Sequence, residues 1–261
     1  MEDKKDSLKI ALVQSLLHWE NPAANRQMFS DKFEQITEQV DLIVLPEMFS
    51  TGFTMSPSNI RKEEGSITVR WMQEMALIKN CAIVGSIVFE EDGSYYNRLF
   101  FVKPEGDFES YNKRHTFTLA GENEKYSAGT ERLIVEHKGF SICPLICYDL
   151  RFPVWSRNTQ NFDMLLYTAN WPGKRIAAWD ALLKARAIEN MVYCIGVNRI
   201  GTDSLGHQYP GHSSIYGPLG ELQAFTKEEE IKIVKVEKSK VDRIKNKLRF
   251  LDDRDGFSLL N

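Results

Sequence analysis

Three residues of this chain can together carry out acyl transfer: Glu47 in LIVLPEMFSTGF, Lys113 in ESYNKRHTF and Cys147 in FSICPLICYDLRFP. A thiolate attacks a carbonyl carbon, a carboxylate moves the proton, and an ammonium stabilises the oxyanion, all without a metal. Cys147 ends an apolar run, and Pro153 stands where a following helix would place its first residue. A strand-to-helix elbow of that kind is expected to present the sulfur outward, with helix N-terminal amides favouring thiolate. Glu47 follows Pro46 at the end of a second apolar run, where poor hydration raises a carboxyl pKa and strengthens it as a base. Taken singly, each residue has an ordinary explanation: a structural cysteine, a loop glutamate, a surface cation beside Arg114. Cys81, Cys143 and Cys194 do fit the structural reading, each within an apolar, strand-like context.

The elements that must position these groups follow from the hydrophobic pattern. Apolar runs predict strands at Leu8–Val13, Leu42–Leu45, Ala82–Phe89, Arg98–Val102, Leu133–Val135, Phe140–Ile146, Met164–Thr168, Tyr193–Val197, Ser213–Tyr216, Leu222–Phe225 and Ile231–Val236. Asn21-Pro22 predicts a helix start, Met28, Phe29, Phe33, Ile36 and Val40 have helical spacing, and Ser66 would cap a helix over Ile67–Lys79. A long helix is expected over Ile176–Asn190 and a charged helix or tail from about Val241. Helices between strands in both halves, without repeat or linker, argue for one α/β domain over 1–261, built on a mixed sheet or two sheets. Functional groups in such folds gather where strands end. Glu47, Lys113 and Cys147 each stand at such an end.

Composition narrows the function classes. With 43% hydrophobic residues in a chain of 261, a sizeable core can be buried. The net charge of -3 gives no field for nucleic acid, and the apolar runs are strand-sized rather than membrane-spanning. The charged start lacks a signal-peptide pattern, so four reduced cysteines in a cytoplasmic protein are expected.

Glu47, Lys113 and Cys147 occur in LPEMF, YNKRHTF and ICYDLRFP, in that order, and in this the chain resembles the nitrilase superfamily of carbon–nitrogen hydrolases. The likeness runs from the ALVQ strand to Ile231–Val236. GENEKYSAG matches the family's second glutamate, Glu122, and its glycine, Gly129. The resemblance implies a four-layer α-β-β-α sandwich, neither metal nor cofactor, and a homodimer joined through helices. It gives Cys147 as nucleophile, Glu47 as base and acid, Lys113 with the backbone N–H of Tyr148 as oxyanion donors, and Glu122 beside Lys113. NWPGKR, ARAIEN and GVNR resemble the bacterial omega-amidase branch, whose members hydrolyse the terminal amide of small 2-oxo acids such as 2-oxoglutaramate and 2-oxosuccinamate.

Such a substrate also carries a carboxylate, which suits an arginine fork. Arg175 and Lys174 in NWPGKR are candidates, as is Arg151, although a salt bridge from Arg151 to Asp149 or another nearby acid is the plainer expectation. Phe117, Trp171 and Tyr148 are candidate pocket walls. The alternatives are a superfamily amidase for carbamoyl or aliphatic amides and, more distantly, a non-enzymatic binding protein on the same fold. A cysteine–histidine hydrolase through His115 and a metal site from Cys143, Cys147, His207 and His212 explain fewer of the motifs.

Overall fold

The computed structural model describes residues 6–259; the charged start, residues 1–5, lies outside them. In chain order the elements are β1 (Ser7–Gln14), α1 (Pro22–Glu34), β2 (Leu42–Val44), α2 (Glu63–Lys79), β3 (Ala82–Glu91), β4 (Ser94–Val102), β5 (Phe108–Asn112) and α3 (Glu122–Lys125). Then come β6 (Val135–His137), β7 (Phe140–Ile146), β8 (Met164–Ala169), α4 (Ile176–Asn190), β9 (Tyr193–Asn198), β10 (Ile200–Thr202) and β11 (Gln208–Pro210). The last are β12 (Ser213–Tyr216), β13 (Leu222–Thr226), β14 (Glu230–Glu237) and α5 (Lys238–Leu248).

Local chemistry sets several of these boundaries. The Asn21 side chain accepts from the Ala24 N–H at 3.1 Å and Pro22 occupies the first turn of α1, as expected. Between β3 and β4, Asp92 and Gly93 both have positive φ, the geometry that lets a two-residue hairpin follow the strand twist. α2 begins four residues earlier than Ser66 would cap it. Glu63 and Glu64 fill its first turn, where carboxylates are stabilised by the positive end of the helix dipole, and Arg26 and Arg61 both bind Glu64.

The strands form two six-stranded sheets, ordered β14-β1-β2-β3-β4-β5 and β13-β12-β9-β8-β7-β6. Successive side chains of a strand face opposite ways, and β1 uses both faces. Ala11 and Val13 pack with Phe29, Phe33 and Met72 of α1 and α2. Leu8, Ile10 and Leu12 enter the other core with Ile142, Leu145, Leu166 and Ile195 of the second sheet, which α4 covers through Trp179 and Leu183. The result is the α-β-β-α sandwich. β14 does not join β12 and β13, which precede it in sequence, but returns to the first sheet, antiparallel to β1. β5 was not legible as a strand, because its residues FESYN are mostly polar, and it pairs only with β4 at the sheet edge.

Candidate functional site

Glu47, Lys113, Glu122 and Cys147 meet at one end of the sandwich. Glu47 comes from the loop after β2, Lys113 from the end of β5, Glu122 from α3 and Cys147 from the end of β7. Lys113 Nζ donates to Glu47 Oε1 at 2.7 Å and to Glu122 Oε1 and Oε2 at 3.0 and 2.9 Å. Gly129 secures the backbone at that point: its N–H donates to the Lys113 carbonyl at 2.9 Å. A Cβ on Gly129 would stand 2.2 Å from the Asn112 carbonyl oxygen, so only glycine allows the approach.

Two asparagines complete the Glu47 shell, and neither was singled out from sequence. Asn97 Nδ2 bridges Glu47 Oε1 at 2.8 Å and Glu122 Oε1 at 3.1 Å, while the Asn170 backbone N–H donates to Glu47 Oε2 at 2.8 Å. Asn170 directly follows β8, so the strand-end rule that found Glu47 and Cys147 applies to it as well. Asn97 has a different signal, a lone amide in the aromatic and apolar run YYNRLFF of β4.

Cys147 departs from the expected elbow in three ways. No helix starts at Pro153; instead a 3-10 turn spans Cys147–Arg151 and begins at the cysteine itself. The sulfur is not presented outward, since the residue is only 8% exposed. Thiolate is not favoured: burial and the adjacent Glu47 carboxylate push the thiol pKa well up, against the opposing pull of Lys113 and the Asn170 N–H. The reason is charge. Two carboxylates and one ammonium already share this buried space, and a thiolate would add a third anion. Cys147 also has φ 40, a left-handed conformation that side chains resist and that sharp turns at reactive residues often hold.

That turn is held by Asp149, fully buried. Its carboxylate accepts from the Ile146 N–H at 3.0 Å, the Tyr111 hydroxyl at 2.8 Å and the His115 N–H at 3.0 Å, and meets His115 Nδ1 at 2.8 Å. It thereby ties the cysteine turn to the segment on either side of Lys113. The expected Arg151–Asp149 salt bridge is absent from this arrangement, because Asp149 is spent on that segment. Arg151 instead lies over the Trp171 ring, 4.9 Å from its centroid. His115 is stacked on Phe152 at 3.6 Å. His207 and His212 pair with Asp203 and Asp180, and among the described residues no cluster of three or more histidine, cysteine or acidic side chains could hold a metal.

Burial tends to discharge Lys113, but the nearby Glu122 and Glu47 carboxylates outweigh it and raise its pKa, so it is an ammonium at neutral pH. Glu122 is pushed the other way from an ordinary carboxylate: burial raises its pKa, offset in part by Lys113, and its Oε2 also accepts the Phe117 N–H at 2.6 Å.

Cys147 and Lys113 open on a pocket of about 260 Å³. Phe53, Phe117, Tyr148 and Trp171 give it apolar walls, and Arg151 and Arg175 line it. Arg175 lies over the Phe117 ring at 5.1 Å. Lys174, on the same turn, is exposed and does not line the pocket. Of the basic candidates, the structure therefore brings Arg151 and Arg175 to the cysteine and leaves Lys174 in solvent. No helix among the described residues is long and apolar enough to cross a membrane.

Known proteins resemble this chain over most of its length. The carbon-nitrogen hydrolase family profile matches residues 9–246. The chain is 45% identical over 218 residues to the omega-amidase YafV of Yersinia enterocolitica, covering 84% of each. It is 32% identical over 220 residues to the 2-oxoglutaramate amidase of Bacillus subtilis, covering 82% of this chain and 85% of that one. Among solved structures, XC1258 of Xanthomonas campestris, a CN-hydrolase superfamily protein with an arsenic adduct in its active site, superposes with a TM-score of 0.93. It is 36% identical, and the match covers 97% of this chain and 99% of that one.

Proposed function

This chain belongs to the carbon–nitrogen hydrolase family, and from that premise we propose that it is an omega-amidase, releasing ammonia from the terminal amide of small 2-oxo acids through an acyl-thioester on Cys147. The observation that carries the reading is a buried cysteine beside a carboxylate and an ammonium that are hydrogen-bonded to each other, in a pocket with two arginines in its wall.

The resting site holds Cys147 as thiol. As the sulfur attacks the amide carbonyl carbon, Glu47 takes the thiol proton, the C–S bond forms and the carbonyl π electrons move to oxygen. Lys113 Nζ and the Tyr148 N–H stabilise that oxyanion. The first amides of a helical turn have no partner within it, and Tyr148 follows the residue that begins the Cys147–Arg151 turn. The tetrahedral intermediate collapses, the C–N bond breaks, and the nitrogen leaves as ammonia with the proton held by Glu47. Water then gives a proton to Glu47 and attacks the thioester; the C–S bond breaks and the sulfur recovers its proton. Proton transfer within the attack explains how a thiol with a raised pKa serves as nucleophile: Glu47 loses its charge as the oxyanion beside Lys113 gains one, so no third anion forms. Glu122 acts as a positioning residue that holds Lys113 over the reaction centre.

At the other end, Arg175 or Arg151 takes the substrate carboxylate through a two-pronged hydrogen bond, with Phe117 and Trp171 flanking the carbon chain. The four cysteines are free thiols, in keeping with a cytoplasmic site of action. The same reading includes a homodimer. Its candidate face includes Ile188 of α4 and Leu219, both exposed, with Gly220 lying against Ile188 and Lys184 there. Sedimentation equilibrium giving twice the mass of the 30.1 kDa chain is the expected result.

Ammonia release measured across 2-oxoglutaramate, 2-oxosuccinamate, glutamine and carbamoyl compounds tests the reading. Preference for the 2-oxo amides is expected; preference for a carbamoyl or simple aliphatic amide would overturn it.

A further inference from the structure

We infer that the β10–β11 hairpin is a chain-length gauge, an element that fixes how long a substrate the pocket accepts, with Tyr209 and Leu205 as its specificity-determining residues. The inference rests on the omega-amidase reading and adds to it the part of the molecule that measures the substrate.

β10 and β11 belong to neither six-stranded sheet; they form a two-stranded sheet of their own. Neither strand carries a group of the Glu47–Lys113–Cys147 cluster, yet Tyr209 and the connecting residues Asp203, Leu205 and His207 all line the pocket. The connection is built rigidly. Asp203 accepts the Leu205 and His207 N–H groups at 2.9 Å each, and on its other oxygen the Tyr209 hydroxyl at 2.9 Å, with His207 Nδ1 at 3.2 Å. The side chain that staples the turn is therefore bonded to the tyrosine that forms the wall. Arg199 presses on that tyrosine with its guanidinium 4.7 Å from the ring centroid, while donating to the Ile200 carbonyl at 3.3 Å. A polar loop of five residues without such a staple would sample many conformations, and a wall that moves cannot discriminate one methylene.

The hairpin also touches the turn that carries Arg175. A Cβ on Gly173 would lie 3.4 Å from the Gln208 carbonyl oxygen and 3.7 Å from Pro210, so β11 lies closely against the Gly173–Arg175 turn. A single rigid unit thus places a cation and an apolar wall at a fixed distance from Cys147. Leu205, 68% exposed while lining the pocket, stands at its rim. An amide acid of the right length reaches Arg175 within the wall; a longer one meets Leu205 and Tyr209.

The test is kcat/KM for 2-oxosuccinamate, 2-oxoglutaramate and the homologue one methylene longer, on the parent, Leu205→Ala and Tyr209→Phe. Leu205→Ala changes an exposed residue and Tyr209→Phe deletes one hydroxyl, so neither threatens folding, and thermal melting verifies it. Each variant is expected to shift the ratio between the longest and the preferred substrate by about fivefold or more, through KM, a change of the size one methylene commands. Alkylation of Cys147 by iodoacetamide, which needs no distal wall, reads the nucleophile alone and is expected to hold its parental rate. An unchanged length ratio overturns the gauge, and so does a parallel loss on all substrates and in alkylation, the mark of a purely structural hairpin. If the parent hydrolyses no 2-oxo amide, the omega-amidase reading falls by itself. The same length ratio, taken on the linear amide acids the parent does hydrolyse, then decides the gauge.

Discussion

Cys143 and Cys147 lie four residues apart, one within β7 and one just past it, and both are buried thiols whose pKa burial raises. Cys143 sits inside β7 in the apolar core, its thiol pushed up to about 12, with no carboxylate or ammonium in hydrogen-bond contact. Cys147 sits one residue past the strand, against Glu47, near Lys113 and the Asn170 N–H. Neither exposure nor acidity separates the two. What separates them is a base able to take the proton and a cation placed where charge develops. In this site reactivity belongs to the cluster, and the cysteine by itself is unremarkable.

The sharpest way to break that comparison is to remove the groups that only Cys147 has. Cys147→Ala is expected to lower kcat by more than about 10³-fold, and Glu47→Gln by about 10²–10⁴-fold, the range general acid–base catalysis supplies. Steady-state ammonia release measures both. Full activity in either variant would show that the nucleophile or the base lies elsewhere, and His115→Ala, expected to stay active, is the control for a cysteine–histidine pair.

Lys113 comes next. Lys113→Ala removes an oxyanion donor, worth about 10²–10³ in rate. It also leaves Glu47 and Glu122 buried without a counter-ion, and breaking a buried pair in this way costs about 3–5 kcal/mol. Adding Glu122→Gln to Lys113→Ala removes one of the stranded charges, so the double variant is expected to regain part of the stability and none of the rate. Denaturant unfolding beside kinetics separates the two effects; equal recovery of both would contradict the oxyanion assignment. The raised pKa of Lys113 has a definite sign in stability. The contribution is fully present below the unfolded value of 10.5 and is lost as pH rises through the higher folded value.

A smaller effect, also read on the thiol, is its pH response. With its pKa raised, Cys147 stays a thiol until Glu47 takes its proton, so its alkylation by iodoacetamide should depend on Glu47, and Glu47→Gln is expected to slow it at neutral pH and to leave a rate that rises with pH. An alkylation rate in Glu47→Gln that is both unchanged and flat with pH would mean a thiolate at rest without Glu47.

The contrast between the cysteines also marks what was legible in the sequence. The apolar runs place β7 and α4 at their observed bounds because burial on both sides of a strand, or one side of a helix, writes itself into hydrophobic spacing. Glu47 and Cys147 were found by the same logic, as polar residues at the ends of such runs. β5 was not found, although it carries Lys113 to the site: an edge strand with one buried residue out of five has no alternation to read. The Cys147 turn escapes a local reading because Pro153 resembles a helix start, whereas the turn is set by Asp149 reaching Tyr111 and His115, 38 and 34 residues away in sequence. Long-range hydrogen bonds leave no local spacing, and most of the missed site, Asn97 included, consists of them. The proximity of Arg151 to Trp171 rather than Asp149 follows from the same fact.

Cys143 supplies the smallest and most discriminating expectation. Cys143→Ala removes one buried sulfur from a strand whose neighbours cannot collapse fully around the gap, and a loss of about 1 kcal/mol is the size expected for deleting such a group. Because the 143 side chain touches none of the four charged or reactive groups, kcat and KM should both stay close to the parental values. Urea unfolding and ammonia release on the same preparation test this. If Cys143→Ala lost activity in proportion to its stability, the strand and the cluster would be one cooperative unit, and position within β7 would matter as much as the partners of Cys147. If stability falls and activity holds, the three residues between the two cysteines separate packing from chemistry.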